Sequence, residues 1–242
     1  MIRLRNVIAG ILTALVFACV CSAAASSILQ SPSGQGADGS ILKTPPGQKV
    51  AIEVFEDLEC PDCARWYPYY WGIAEAHHVP VVLHDFPLPM HPWSFQAAVF
   101  ARFFDTKSQK LGEDFRGYIY KNQPNINKGN LQQWVQKFAD DNKVPLPFNI
   151  DPDGKLKALV EADRELGTRA KLQHTPTIIV VGHGGPPSPF IEIQEVSDMN
   201  QNTNLLNQAI DQMEKKAEPV SAPKATHSKA PHSKKRASSK HS

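Results

Sequence analysis

The stretch Val50–Pro68, VAIEVFEDLECPDCARWYP, governs how the rest of this 242-residue chain is read. Its opening, Val50 to Phe55, is a short, mostly apolar, β-favouring run that fits a buried strand. The run leads into Cys60 and Cys63, with Pro61 and Asp62 between them, at the start of a helical pattern that continues to about His77. Proline suits the first turn of a helix, where its missing N–H has no intrahelical partner, and a carboxylate in that turn complements the helix dipole. Pro68 interrupts the pattern and is expected to kink the helix. A cysteine at a helix N-terminus lies over free backbone N–H groups that favour its thiolate, so Cys60 is the expected attacking sulfur. Cys63, one turn on and facing the same side, is placed to close a disulfide with Cys60 and to resolve a mixed disulfide. A static structural bridge and half of a zinc site are the competing uses of such a pair. Zinc would need two further ligands, and there is no second cysteine pair.

The two ends of the chain bear on the redox setting. Arg3 and Arg5 precede an apolar run from Val7 to Val20 and then small residues, the order of a secretory signal over residues 1–25. The run is short for a membrane span. Three fates stay open: cleavage near Ala24 or Ala25, a lipoprotein-type junction at Ala18–Cys19 with bulky Phe17 before it, and retention as an uncleaved anchor. The four cysteines are Cys19, Cys21, Cys60 and Cys63, so removal of the signal leaves only the Cys60/Cys63 pair. Export to the periplasm or cell envelope would put that pair where disulfides persist.

Residues 26–47 have the composition of a linker, and residues 218–242 that of a disordered basic tail of Lys, His, Ser, Pro and Ala. Without the tail's six basic residues and the two signal arginines, the formal charge of +2 becomes −6 for residues 26–218. The expected domain is therefore acidic, carrying a cationic tether. A solvated tail and one that adheres to anionic envelope surfaces are its two readings; nucleic acid is not an expected partner outside the cytoplasm.

Between these ends, residues 48–217 read as one domain. A second strand, Val79 to Phe86, follows the first helix, which implies a parallel crossover. Helical patterns then run over Pro92–Phe104, Leu111–Tyr120, Leu131–Ala139 and Lys155–Leu172. They read as a block inserted in an α/β unit, over about residues 90–172. Thr177–Val181 and Phe190–Gln194 flank a turn, His183-Gly-Gly-Pro-Pro, as an antiparallel hairpin, and residues 203–216 form a final amphipathic helix.

The run Gln173-His174-Thr175-Pro176-Thr177, just before an apolar strand, supplies a second signature. A proline there caps the strand or carries a cis bond. The ordered set Phe55-x-Asp57-x-x-Cys60-Pro61-x-Cys63-Ala64-x-x-x-x-Pro68, a helical block from near His91, and Thr175-Pro176-Thr177 resembles the DsbA-like branch of the thioredoxin superfamily, the exported thiol:disulfide oxidoreductases. The resemblance covers about residues 48–216. It implies an α/β thioredoxin fold with a helical insertion between the CxxC half and the cis-proline half. It also implies that Pro176 is cis and stands against the CxxC, that Thr175 lines the substrate groove beside Cys60, and that no metal or organic cofactor is needed. The implied partners are exported proteins with thiols or disulfides and a membrane partner that recycles the pair. His174 is a candidate for the active-site rim.

Two departures bear on the chemistry. Many members carry a buried acid six residues before the first cysteine; that position is Val54 here, and Glu53 belongs on the opposite strand face. Asp62 stands where strongly oxidising relatives have histidine, and with Asp57 and Glu59 it is expected to oppose a Cys60 thiolate. These features predict a Cys60 pKa above, and a reduction potential below, those of the histidine-containing relatives. They point towards a reductase or isomerase where the family points towards an oxidant. A non-catalytic polypeptide-binding or chaperone-like module, with the cysteines as a static bridge, is the rival of another class. His77, His78, His84 and His91 lack a metal-like set of partners. The aromatics Trp66, Tyr67, Tyr69, Tyr70 and Trp71 divide between core and an apolar rim. No spare sequence for a dimerisation domain lies between Ser26 and Val50, so a monomer is expected.

Overall fold

The strand β1 (Val50–Glu56) is buried along its whole length because it is one of the two inner strands of a four-stranded sheet. On one side it pairs in parallel with β2 (Val81–Asp85), and on the other antiparallel with β3 (Thr177–Gly182), which in turn pairs antiparallel with β4 (Phe190–Glu192). The sheet order is β2-β1-β3-β4. The computed structural model describes residues 36–220 apart from Pro186 and Val196. The expected signal, the first part of the expected linker and the tail from residue 221 lie outside them. Among the described residues no helix is long and apolar enough to cross a membrane.

Alternation along β1 sorts its side chains onto two faces. Val50, Ile52 and Val54 join Trp66, Tyr70 and Ile73 of α1 (Pro61–His77) and Leu206, Ile210 and Met213 of α6 (Met199–Lys216) in one core. Phe55, together with Ile179 and Val181 of β3, faces the other way. Helix α1 runs through Pro68 from Pro61 to His77 and ends where His78 takes a left-handed conformation, φ 55°.

Four helices lie between β2 and β3, as the periodicity predicts: α2 (Ser94–Asp105), α3 (Gln109–Asn122), α4 (Leu131–Asp141) and α5 (Lys155–Arg169). They share a core built on Phe100, Phe104, Phe115, Val135, Phe138 and Val160, and Cys60 and Cys63 sit at its margin. Gly112 permits the close packing of α2 and α3, since a Cβ there would lie 1.7 Å from the Asp105 carboxylate. A charged layer bolts this block to the sheet. His84 of β2 lies 2.6 Å from Glu53 and 3.1 Å from Asp163 of α5, and Arg102 reaches both Asp85 and Asp163. Burial pulls the His84 pKa down, but hydrogen bonds to Asp163 and Glu53 outweigh it and raise it to about 9.

The linker expected over residues 26–47 gives way, from residue 36, to docked chain. The Ala37 N–H donates to Glu192 at 2.9 Å, the Asp38 N–H to the Ala170 carbonyl at 2.7 Å, and the Ser188 N–H to the Ser40 carbonyl at 3.1 Å. Ala37 and Leu42 are buried against Ile179 and Val181. Gly39 sits so close to Phe190 that a Cβ would fall 2.6 Å from the ring. The composition of the segment signals its lack of periodicity, but not that an apolar sheet face needs cover.

Candidate active site

β1 delivers the chain to the N-terminus of α1 through the loop Asp57–Glu59, and Cys60 is the N-cap residue, extended at φ −78° and ψ 121°. The Cys60 N–H donates to the Asp57 carbonyl at 3.0 Å. Both thiols are free, Cys60 at 6% exposure and Cys63 at 1%. From the far half of the chain comes the Thr175–Pro176 peptide, which is cis. The Cys60 thiol donates to the Thr175 carbonyl at 3.2 Å, so residues 115 apart in sequence meet at the reactive sulfur. The Thr175 hydroxyl is buried without a hydrogen-bond partner among the described residues. His174 folds back on its own loop, with Nδ1 3.1 Å from the Pro176 carbonyl, and is exposed.

The two sulfurs have opposite acidities. A hydrogen bond from Cys63 is the main influence that lowers the Cys60 pKa to about 6, against burial and with help from Thr175 and the Asp62 and Cys63 N–H groups. Burial pushes the Cys63 thiol well above the usual range, and the Cys60 sulfur and the Glu56 charge add to this. The Asp57 N–H, 3.4 Å from the Cys63 sulfur, works the other way. One cysteine is thus a thiolate near neutral pH and the other a protected thiol.

The negative field expected from Asp57, Glu59 and Asp62 is answered locally. Asp57 accepts from the Glu59 N–H at 2.8 Å, the Leu88 N–H at 2.7 Å and the Ser94 hydroxyl, and faces His91 Nδ1 at 2.6 Å. Glu59 accepts the Trp93 and Ser94 N–H groups at 2.8 and 3.1 Å, where α2 begins. Asp62 is half exposed and paired with Arg65 at 3.0 Å. None of the three carboxylates is among the leading influences on Cys60. What the sequence marks as charge around the thiol is, for Asp57 and Glu59, the fastening of the CxxC loop to the helical block. Gln123 adds to it, donating at 3.0 Å to the carbonyls of both Leu58 and Cys60.

A buried acid stands two residues further along the strand. Glu56 shares the face of Val54, and its side chain is 1% exposed. Burial raises its pKa to about 7, opposed by Arg116 and by the hydroxyls of Tyr120 and Tyr70, which donate to Oε2 at 3.0 and 3.1 Å. Sequence reasoning passes over Glu56 because it looks only at the family's position, although the period of two marks residue 56 as facing the same way. Of the aromatics on α1, Trp66 and Tyr70 are core, Tyr67 donates to the Glu113 carbonyl at 2.6 Å, Trp71 is partly buried, and Tyr69 is exposed at 43%. Among the described residues no group of three or more His, Cys, Asp or Glu is placed to hold a metal ion.

A family profile described as Thioredoxin matches residues 46–212. Among solved structures, alpha-DsbA1 of Wolbachia pipientis is similar at a TM-score of 0.57 and 15% identity, covering 78% of this chain and 96% of that one. The thiol-disulfide exchange protein alpha-DsbA2 of the same organism gives 0.52 at 16% identity, covering 71% and 85%. A putative protein disulfide isomerase from Nitrosomonas europaea gives 0.53 at 14% identity, covering 68% and 99%. No curated protein matches by sequence. With a cis Thr175–Pro176 bond against Cys60 and four helices set between the two halves of the sheet, the chain belongs to the thioredoxin family and has its DsbA-like fold.

Proposed function

We propose that this protein is a thiol:disulfide oxidoreductase of exported proteins, working through Cys60 and Cys63. The observation that carries the reading is the placement of the sulfurs: Cys60 at the N-terminus of α1, 3.2 Å from the Thr175 carbonyl, and Cys63 buried one turn further on. In the reducing direction the Cys60 thiolate attacks a substrate disulfide, and one substrate sulfur leaves as a thiolate. Cys63 then passes its proton to Glu56 and attacks Cys60, forming the Cys60–Cys63 bond and releasing the second substrate thiolate. Oxidation of a substrate is the reverse, with Glu56 returning the proton to Cys63 as it leaves. Pro61 starts the helix whose N–H groups face Cys60. Thr175 and Pro176 form the wall against which a substrate chain would lie, with His174 at its edge. The substrates are polypeptides in the periplasm or envelope, and a membrane partner recycles the pair. Replacement of Cys60 tests the reading. Cys60→Ala is expected to cut reduction of insulin by dithiothreitol at least about 10³-fold towards the uncatalysed rate. Retention of substrate effects by this variant would identify a binding module instead.

Asp62 bears on direction. Its pairing with Arg65 mutes its charge but provides no cation for the thiolate. Asp62→His is expected to raise the potential of the Cys60/Cys63 pair by about 30 mV or more, a tenfold shift in the equilibrium with glutathione. Equal potentials for the two proteins would remove Asp62 from the control of direction.

A further inference from the structure

Arg116 lies on α3, in the inserted block, yet its guanidinium ends beside Glu56 of β1. Its side chain is 2% exposed, with Nε 3.1 Å from Glu56 Oε1, Nη1 2.9 Å from Asp105 Oδ1 and Nη2 3.2 Å from Asp105 Oδ2; Nη2 stands 3.5 Å from Asp85. Arg116 and Tyr120 from α3 and Tyr70 from α1 contact Glu56, and Cys63 and Tyr67 from α1 and Asp85 from β2 lie near enough to interact with it electrostatically. Only Arg116 among them is a cation.

Asp85 has a second partner in Arg102 at 2.5 Å, and Asp105 is 26% exposed. Both acids therefore keep a cation or water if Arg116 is neutralised. Glu56 keeps only two tyrosine hydroxyls. Loss of the guanidinium thus falls on Glu56, which takes up a proton because a buried carboxylate without a cation is costly.

We propose that Arg116 is the positioning residue that keeps Glu56 ionised and able to accept the Cys63 proton, so the inserted block sets how fast the mixed disulfide is resolved. The proposal rests on the redox reading above. In the step concerned, the Cys63 S–H bond breaks and its proton goes to a Glu56 oxygen. The new thiolate forms the S–S bond to Cys60 as the Cys60–substrate S–S bond breaks, and the electron pair leaves on the substrate sulfur. Arg116 takes no part in bond making. It fixes the charge state of the acceptor before the step begins.

The guanidinium also lines a cavity of about 480 Å³ at the edge of β2, with Arg102, Asp105 and Glu113 around it.

The test is the lifetime of the Cys60–glutathione adduct, formed by mixing reduced protein with oxidised glutathione and read by acid quench and mass spectrometry from pH 6 to 9. Arg116→Met is expected to lengthen the adduct lifetime about fivefold or more at pH 7, with the defect shrinking below about twofold by pH 9, because a base of higher pKa is ionised only at higher pH. Arg116→Gln, which keeps a donor without the charge, should behave alike, so the result does not hang on one variant's folding. Arg116→Lys should restore most of the rate at pH 7. In a Glu56→Gln background, Arg116→Met should change the lifetime by less than about twofold, since the group it acts through is gone. Neutral variants with the wild-type pH profile would overturn the proposal, as would an equal slowing in the Glu56→Gln background. If Cys60 of the wild type forms no adduct at all, the redox reading itself fails. An adduct that Cys63 resolves at the same rate with or without the Arg116 charge overturns only the role of Arg116.

Discussion

Replacement of Cys63 by serine is expected to turn a catalyst into a trap. Cys60 keeps its place at the helix N-terminus and under the Thr175 carbonyl, so the first attack on a disulfide still proceeds. A hydroxyl cannot expel the substrate sulfur, and the protein should accumulate as a Cys60-linked mixed disulfide, with turnover down at least about 10³-fold. The adduct is read directly on non-reducing gels. A second measurement isolates the electrostatic part of the same residue's role. Because Cys63 is the main influence lowering Cys60 to about 6, Cys63→Ala should move the pH midpoint of Cys60 alkylation upward. Cys63→Ser, which keeps an O–H donor, should move it less. An unchanged midpoint in Cys63→Ala would show that the helix N-terminus and Thr175 suffice.

The largest loss of stability is expected at Asp57. Its side chain is 0% exposed and accepts from two backbone N–H groups and the Ser94 hydroxyl, with His91 as its fourth neighbour. Asp57→Ala strands those donors in a buried place, and the cost should be about 3–5 kcal/mol by denaturant unfolding. Asp57→Asn retains one acceptor oxygen and should lose about half as much. The effect should also reach the chemistry, since the main chain of Asp57 holds both cysteines, its carbonyl at the Cys60 N–H and its N–H at the Cys63 sulfur. A loss below about 1 kcal/mol would mean that solvent replaces these bonds at little cost.

The placing of the cysteine pair at a helix start, the strand before it and the Thr175–Pro176 turn were legible because each rests on local pattern: a dithiol spacing, a β run, a proline at a strand's start. The helical block was legible for the same reason, in its 3.6-residue periods. What the one-dimensional pattern hides is the direction of polar side chains. Asp57, Glu59 and Asp62 look alike as three acids flanking a thiol, yet two of them point into the inserted block and the third pairs with Arg65. Glu56 escaped notice because its importance depends on Arg116, Tyr70 and Tyr120, which come from two other elements. Residues 36–42 were hidden for a related reason. Short, glycine-containing chain becomes structured only because Ile179 and Val181 offer it an apolar face.

The contact between Cys60 and Thr175 closes a loop of 115 residues, and this has a temporal side. As the chain emerges from synthesis, the dithiol appears long before the turn that covers it, and the whole inserted block must follow first. Until β3 joins β1 as its antiparallel neighbour, Cys60 lacks the Thr175 carbonyl against its sulfur. Contacts of such long sequence separation form late, after the entropy of closing the loop has been overcome. The nascent protein would therefore carry an uncovered Cys60, open to oxidants in its surroundings. Its own first oxidation state would be decided before it can act on any other chain.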